Sequence, residues 1–189
     1  MMFLAVLLLA AAASTEARYV WRQQSPGNCT FDNPKQDFDA VPYLGGWYEQ
    51  QRFSLIWEGA EDCVQAIYSD LGEGYVEVHN VARKTNGERD EIIGQAHSTR
   101  PGVLLVEFFG HIPAEYHILE TDYENFASVY NCVNLPFNQK VEYAWLLSRR
   151  PILEQEYVDQ GLQVLADNDI DVSLFHDTHQ GDDCDYFSP

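Results

Sequence analysis

The side chains of this 189-residue sequence that could do chemistry are four cysteines, six histidines and a large aromatic set. Cys29, Cys63, Cys132 and Cys184 stand far apart, so no two have the close spacing of a zinc site. In an oxidising compartment they read as two disulfides, with three connectivities open. All four thiols are then committed, which leaves no thiolate nucleophile. His176 and His179, with Asp177, Asp182 and Asp183, are the best divalent-ion candidates, but they read as a solvated, mobile tail and no metal site is expected. His79, His97, His111 and His117 are scattered and read as ordinary structural residues. There is no Gly-x-Ser-x-Gly elbow and no phosphate-binding glycine loop. Both methionines, Met1 and Met2, are at the extreme N-terminus, so the rest of the chain has no thioether to reduce a peroxide. The sequence therefore points to binding rather than catalysis, and no enzyme activity is expected.

The N-terminus sets the compartment. Met1 to Ala13 is apolar with a small-residue end, and Phe3 to Ala10 is too short for a bilayer, which needs about 20 apolar residues. This resembles a secretory signal peptide cleaved near Ala13 or Ala17, with the start amine as its only positive charge. The expected organisation is a signal over residues 1–17 and one domain over 18–189, of roughly 170 residues and with a real core. The product is expected to be secreted and extracellular. Asn28-Cys29-Thr30 is the one N-x-[ST] acceptor and a candidate glycosylation site. The formal charge of -19, from 30 acidic and 11 basic residues, excludes nucleic acid and heparin as partners. The acids are scattered, as on a solvated surface. No sequence feature fixes an oligomeric state.

The elements that would position a binding site are short and β-favouring. Runs at approximately 47–54, 63–70, 74–83, 89–98, 103–109, 115–121, 126–133 and 141–149 are separated by turn residues such as Asn86-Gly87 and Arg100-Pro101-Gly102. Leu104, Val106 and Phe108 share one face, opposite Leu105 and Glu107. Eight such strands predict an all-β, antiparallel up-and-down barrel whose closure removes exposed edges and leaves room for one small ligand. Ile152–Asp167, with Leu153, Tyr157, Leu162 and Leu165 on one face, predicts a single helix packed outside it. Pro151 suits its first turn and Asn168 its stop. Gly161 costs that helix roughly 1 kcal/mol against Ala, so the helix must rely on packing.

Three segments carry a family resemblance. Tyr43-Leu44-Gly45-Gly46-Trp47-Tyr48-Glu49 opens the first strand, Thr121-Asp122-Tyr123 follows the sixth, and Arg149 closes Tyr143-Ala144-Trp145-Leu146-Leu147-Ser148-Arg149. Together they resemble the signatures of the lipocalin family. Cys63-Val64-Gln65-Ala66-Ile67-Tyr68-Ser69 and Ile118 to Ala127 extend the likeness to its apolipoprotein D-like branch, close to arthropod lipocalins that hold bilins or carotenoids. The resemblance implies Cys29 bridged to Cys132 and Cys63 to Cys184. It implies that Gly45 and Trp47 lie at the closed end of the barrel, with the Arg149 guanidinium on the indole face.

For binding, the resemblance implies that Tyr68, Asn80, Phe108 and Trp145 line the cavity, while the family's charged positions on the third strand are replaced by Ala82 and Lys84. The loops expected at the open end are unusually apolar: Leu55, Ile56 and Trp57, then Ile112-Pro113, then Leu135-Pro136-Phe137. Two roles are open for them, contact with a lipoprotein or membrane surface, or folding over to plug the mouth. The expected function is a carrier of a small hydrophobic ligand such as a lipid, sterol, fatty acid or retinoid, with no required cofactor. The alternative is a chromoprotein holding biliverdin or a carotenoid. A third reading, an extracellular interaction or scavenger protein, predicts a small charged pocket or none.

Overall fold

The computed structural model describes residues 24–29, 33–53 and 61–187. The expected signal segment and the loop residues Leu55, Ile56 and Trp57 lie outside the described residues. Within them the chain forms β1 (Gln24–Pro26), α1 (Ala40–Tyr43), β2 (Gly45–Phe53), β3 (Asp62–Gly72), β4 (Tyr75–Arg83), β5 (Arg89–Arg100), β6 (Val103–Phe108), β7 (Ala114–Thr121), β8 (Phe126–Leu135), β9 (Gln139–Ser148), α2 (Gln155–Asp167), a short 3-10 turn (Val172–Leu174) and β10 (Phe175–Asp177).

Strands β2 to β9 pair antiparallel in sequence order, and β9 returns to β2 through Tyr48 opposite Ser148 and Glu49 opposite Leu147. This is the expected closed eight-stranded barrel. Two three-residue strands were not expected, because segments that short show no alternation to read. They occupy edges that β2 leaves open. The lower half of β2 pairs with β3 over Gly45 to Tyr48, while its upper half pairs with β10 over Gln51 to Phe53. On the other side, β1 takes up β9 at Gln139 to Val141, where β2 no longer reaches. The C-terminal segment is thus not the solvated, mobile tail read from its polarity. It is fixed by β10, by Thr178 N–H donating to Gln50 O at 2.9 Å, and by the Cys63–Cys184 bridge. The second bridge joins Cys29 to Cys132, so both pairings are those implied by the resemblance.

Period-two alternation sorts the side chains into two layers. Trp47, Tyr68, Val78, Ala96, Leu104, Ile118, Val129 and Leu147 form the inner cluster, with Val106, Phe108, Tyr116 and Trp145 packed against it. Phe53, Tyr130, Ala144, Leu146 and Phe126 face outward and are covered by α2 and the segment after it, through Leu153, Leu162, Leu165 and Ile170.

The helix begins at Gln155, three residues later than expected. Pro151 and Ile152 stay outside it, Leu153 is already buried against the barrel, and Glu154 takes the extended backbone of an N-cap. Gly161 has a physical reason. A Cβ there would collide with Leu146 Cδ1 and meet Phe126 and the Ser128 hydroxyl at 3.2 Å, while Ser128 Oγ donates to Gly161 O at 2.8 Å. The glycine marks the closest approach of helix to barrel. Gly161→Ala gains about 1 kcal/mol of helix propensity but overpacks a rigid contact, worth roughly 1–3 kcal/mol. We expect a net loss of stability in urea denaturation, against the sign that helix propensity alone gives.

Candidate functional site

The floor of the barrel is built around Trp47, which is fully buried. The Arg149 guanidinium lies over its ring at 3.8 Å from the centroid. From there Arg149 donates through Nε to Tyr123 O at 2.9 Å, through Nη1 to Gly46 O at 3.0 Å and through Nη2 to Pro42 O at 2.6 Å. Trp47 Nε1 in turn donates to Tyr43 O at 2.9 Å. Gly45 has φ 96°, a conformation that L side chains rarely adopt, which accounts for glycine at that position. The adjacent Arg150 instead pairs with Glu154 at 2.9 Å on the surface, so Arg149 is the arginine of the floor.

Thr121, Asp122 and Tyr123 make the turn that presents Tyr123 O to Arg149. Thr121 Oγ1 donates to Phe126 O at 2.7 Å and accepts from Tyr123 N–H at 2.9 Å. The Asp122 carboxylate accepts from the N–H groups of Glu124, Asn125 and Phe126 and from the Asn125 side chain. Burial pushes the Asp122 carboxyl upward, but these hydrogen bonds outweigh it and hold the group below its ordinary value.

The inner wall rises from this floor. Cross-strand registers place Tyr68 with Val78 and Gly94 with Phe108, Asn80 with Ala66, and Trp145 with Val129. Of the four residues implied by the resemblance, Tyr68 is buried, whereas Phe108, Asn80 and Trp145 keep part of their surface free although strands enclose them. All four lie on the inner face of the barrel. Asn80 Oδ1 is buried and without a hydrogen-bond partner in the structure. Two residues missed in the sequence join them. Tyr68 Oη donates to Tyr116 Oη at 3.0 Å, and Tyr116 Oη meets Tyr43 Oη at 3.0 Å. Burial pushes the Tyr68 phenol up to about 12 and those of Tyr43 and Tyr116 well above their usual value, so all three stay neutral. Tyr116 was legible in principle, since it alternates with Ile118 in β7. Tyr116 also lies 6.2 Å from Trp145 ring to ring, joining the hydroxyl cluster to the aromatic wall.

A charged pair also lies inside, and no strand periodicity predicts it. A bulge in β2 between Glu49 and Gln51 brings Glu49 opposite Leu147 and Arg52 opposite Trp145, both on the inner face. Arg52 Nη1 lies 3.0 Å from Glu49 Oε1.

Elsewhere, His179 Nε2 and Asp183 are 2.8 Å apart and close to Cys184. Cys184 is bridged, and Asp183 also binds Arg83 at 3.0 Å, so those donor atoms are already engaged. A polar cleft of about 140 Å³ outside the barrel, between the end of α2 and β7–β9, is lined by His117, Tyr130, Lys140, Glu142, Asp167 and Asn168. At the open rim, Phe109, Ile112 and Phe137 are 99, 91 and 96% exposed. Asn28 is exposed beside the bridged Cys29.

A closed antiparallel cup, plugged at one end by an arginine–tryptophan stack and walled inside by apolar and aromatic side chains, is the architecture of a barrel binding protein. Residues 38–180 match the family model described as a lipocalin-like domain. The chain belongs to the lipocalin family. Apolipoprotein D of Macaca fascicularis is 36% identical over 191 residues, covering 99% of this chain and 100% of its own length. The crustacyanin-A1 subunit of Homarus gammarus is 25% identical over 176 residues, covering 92% of this chain and 90% of its own. The structure of insecticyanin from the tobacco hornworm Manduca sexta superposes with a TM-score of 0.75 at 28% identity, covering 87% of this chain and 93% of that one.

The floor gives a pH test. With its folded-state value lowered, Asp122 contributes stability that is complete above its unfolded value of about 4 and lost as pH falls through the lowered one. For this exposed side chain we expect Asp122→Asn to cost about 1 kcal/mol at pH 7. The gap between variant and parent should narrow in urea titrations as the pH falls below the unfolded value of about 4.

Proposed function

We propose that this protein is a secreted carrier of one small hydrophobic ligand, with residues 1–17 as its export signal and residues 18–189 as the binding domain. The observation that carries this reading is the inner wall. Phe108, Trp145, Val76 and Val106 offer apolar surface, interrupted by oxygens of Tyr68, Tyr116 and Asn80 and by the buried Glu49–Arg52 pair. Such a surface supplies affinity through apolar burial at about 25 cal/mol per Å², while the phenols and the Asn80 amide set orientation. A neutral sterol, retinoid or acyl chain fits this chemistry. Both disulfides suit an oxidising, extracellular setting.

A second reading, a chromoprotein holding biliverdin or a carotenoid, draws on the likeness to crustacyanin-A1 and insecticyanin. A visible absorption band on natively purified protein separates it from a colourless lipid carrier. Mass spectrometry of the organic extract names the cargo in either case.

The rim adds a partner. Phe137 sits at φ 64° and Asn138 at φ 56°, a turn in which a bulky aromatic is strained. A strained, nearly fully exposed phenylalanine at the same end of the barrel as Phe109 and Ile112 suits contact with a lipid surface from which cargo is exchanged. The net charge favours a zwitterionic surface over an anionic one.

Two outcomes are expected. Trp145→Ala should weaken binding of a fluorescent retinoid or sterol by roughly 10- to 100-fold, since it removes about 1.5–3 kcal/mol of contact, and unchanged affinity would displace the cavity reading. Phe137→Asn should stabilise the fold by about 1 kcal/mol yet lower retention on phosphatidylcholine vesicles. Full retention by a Phe109, Ile112 and Phe137 to Ser triple variant would end the rim proposal.

A further inference from the structure

We propose that the outer face of β4–β6 is a docking surface for a basic amphipathic helix of another protein. The face lies outside the barrel, apart from the cargo wall. The outside of the barrel divides into three sectors. Over β7–β9 lies α2, which with the segment after it covers Phe126, Tyr130, Ala144 and Leu146. Over β2, β3 and the upper part of β4 lies the C-terminal segment, with the Tyr186 ring 4.9 Å from Tyr48 and Phe187 5.0 Å from His79. Phe187 N–H also donates to Gln65 Oε1 at 2.7 Å. Among the described residues the third sector has no such cover, and Tyr75 and Ile93 stand 40 and 53% exposed on it.

The strand registers sort its side chains into rows about 7 Å apart. Nearest the floor, Tyr75 opposes His97, which opposes Leu105. In the middle row Glu77 opposes Gln95, which opposes Glu107. Above it Ile93 opposes His79, at the edge of the Phe187 contact. A carboxylate row thus runs between two rows that carry exposed apolar side chains.

The middle row has no counter-ion within the described residues. Gln95 Nε2 donates to Glu107 Oε2 at 3.1 Å, a neutral contact that leaves the charge in place. The basic side chains of β5, Arg89 and Arg100, pair with Glu91 and Glu115 at 3.2 and 3.6 Å. The other Lys and Arg side chains of the described residues are held by other carboxylates or by the floor carbonyls. A cation for Glu77 and Glu107 is therefore best supplied by a partner, and the net charge of -19 draws it in.

The shape selects a helix. Three strands spaced at about 4.8 Å present a face roughly as wide as a helix with its side chains, about 10–12 Å. Already, α2 lies on the neighbouring sector in this way. The Tyr75 and Ile93 rows are about 14 Å apart, between two and three helical turns of about 5.4 Å. One stripe of a helix then sets apolar residues against Tyr75 and Leu105 and against Ile93, with Lys or Arg between them over Glu77 and Glu107. The face measures about 15 by 20 Å, well below the ~800 Å² per partner of a lasting complex, so the contact is transient.

The test titrates the isotope-labelled full-length protein at low salt with a ~14-residue leucine–lysine helix peptide, about four turns long. We expect a dissociation constant of about 10–100 µM, with amide shifts grouped at Tyr75, Glu77, Gln95 and Glu107. A leucine–glutamate helix should not bind. Glu77→Lys with Glu107→Lys should weaken binding about tenfold or more. Glu156→Lys with Asp159→Lys, the same charge change on the exposed side of α2, should weaken it less than about twofold. Tyr75→Ser with Ile93→Ser should weaken it severalfold at unchanged charge. If the first lysine pair does not fold, Glu77→Gln with Glu107→Gln gives the same comparison with a smaller loss. Equal weakening by the two lysine pairs, or shifts spread over every acidic surface, overturns the proposal in favour of generic attraction to a negative chain. Absence of binding overturns it as well. So does tighter binding of an alternating leucine–lysine strand peptide, or self-association of the parent protein through this face, which would make the occupant a strand or a second copy.

Discussion

The Arg149 guanidinium over the Trp47 indole is the contact on which the rest of the barrel depends. One planar cation fastens three chain segments that would otherwise be independent: the approach to β2 through Pro42 O and Gly46 O, the β7–β8 turn through Tyr123 O, and the end of β9 that carries it. It caps carbonyls that a barrel must leave unpaired where its strands end, and it does so beside a fully buried ring. A lysine has neither the fork nor the flat face for this combination. With one end fixed in this way, cargo can enter only from the other, so the cup acquires a direction.

Much of the fold was legible because it follows from local rules. Leu104, Val106 and Phe108 alternate with Leu105 and Glu107, and that period alone puts them on the inner wall. Arg149, Trp47 and both disulfides came from resemblance and not from periodicity, since nothing local ties residue 47 to residue 149 or residue 63 to residue 184. What escaped has physical causes. β1 and β10 are three residues each, below the length at which a pattern exists. The polar composition of 175–184 suggested a solvated tail, but its backbone hydrogen bonds and a disulfide fix it regardless of side-chain polarity. Gly161 looked like a flaw in the helix because its collision partner, Leu146, comes from another element. Glu49 and Arg52 should face opposite sides of a regular strand, and only the bulge brings them together.

The candidate site was half legible in the same sense. Tyr68, Phe108, Asn80 and Trp145 do share the inner face, but the polarity of the interior was underestimated. Tyr43 and Tyr116 complete a hydroxyl cluster with Tyr68, and Glu49 and Arg52 add a charged pair beside an otherwise apolar wall. A sequence scan for cavity residues favours aromatic and aliphatic positions. The groups that discriminate among hydrophobic cargoes are the polar ones, which composition alone assigns to the surface.

The division of β2 between two neighbours has a mechanical consequence. Near the floor its partner is β3, an eleven-residue strand anchored on both sides. Near the mouth its partner is β10, three residues long and close to the end of the chain. Each pairing among β2 to β9 spans at least four residue pairs, whereas β10, like β1, is held by three, and the chain beyond β10 is tied by the Cys63–Cys184 bridge. The wall beside Arg52 is therefore the most lightly laddered seam of the cup's mouth, closed on this edge of β2 by three residue pairs rather than by a full strand.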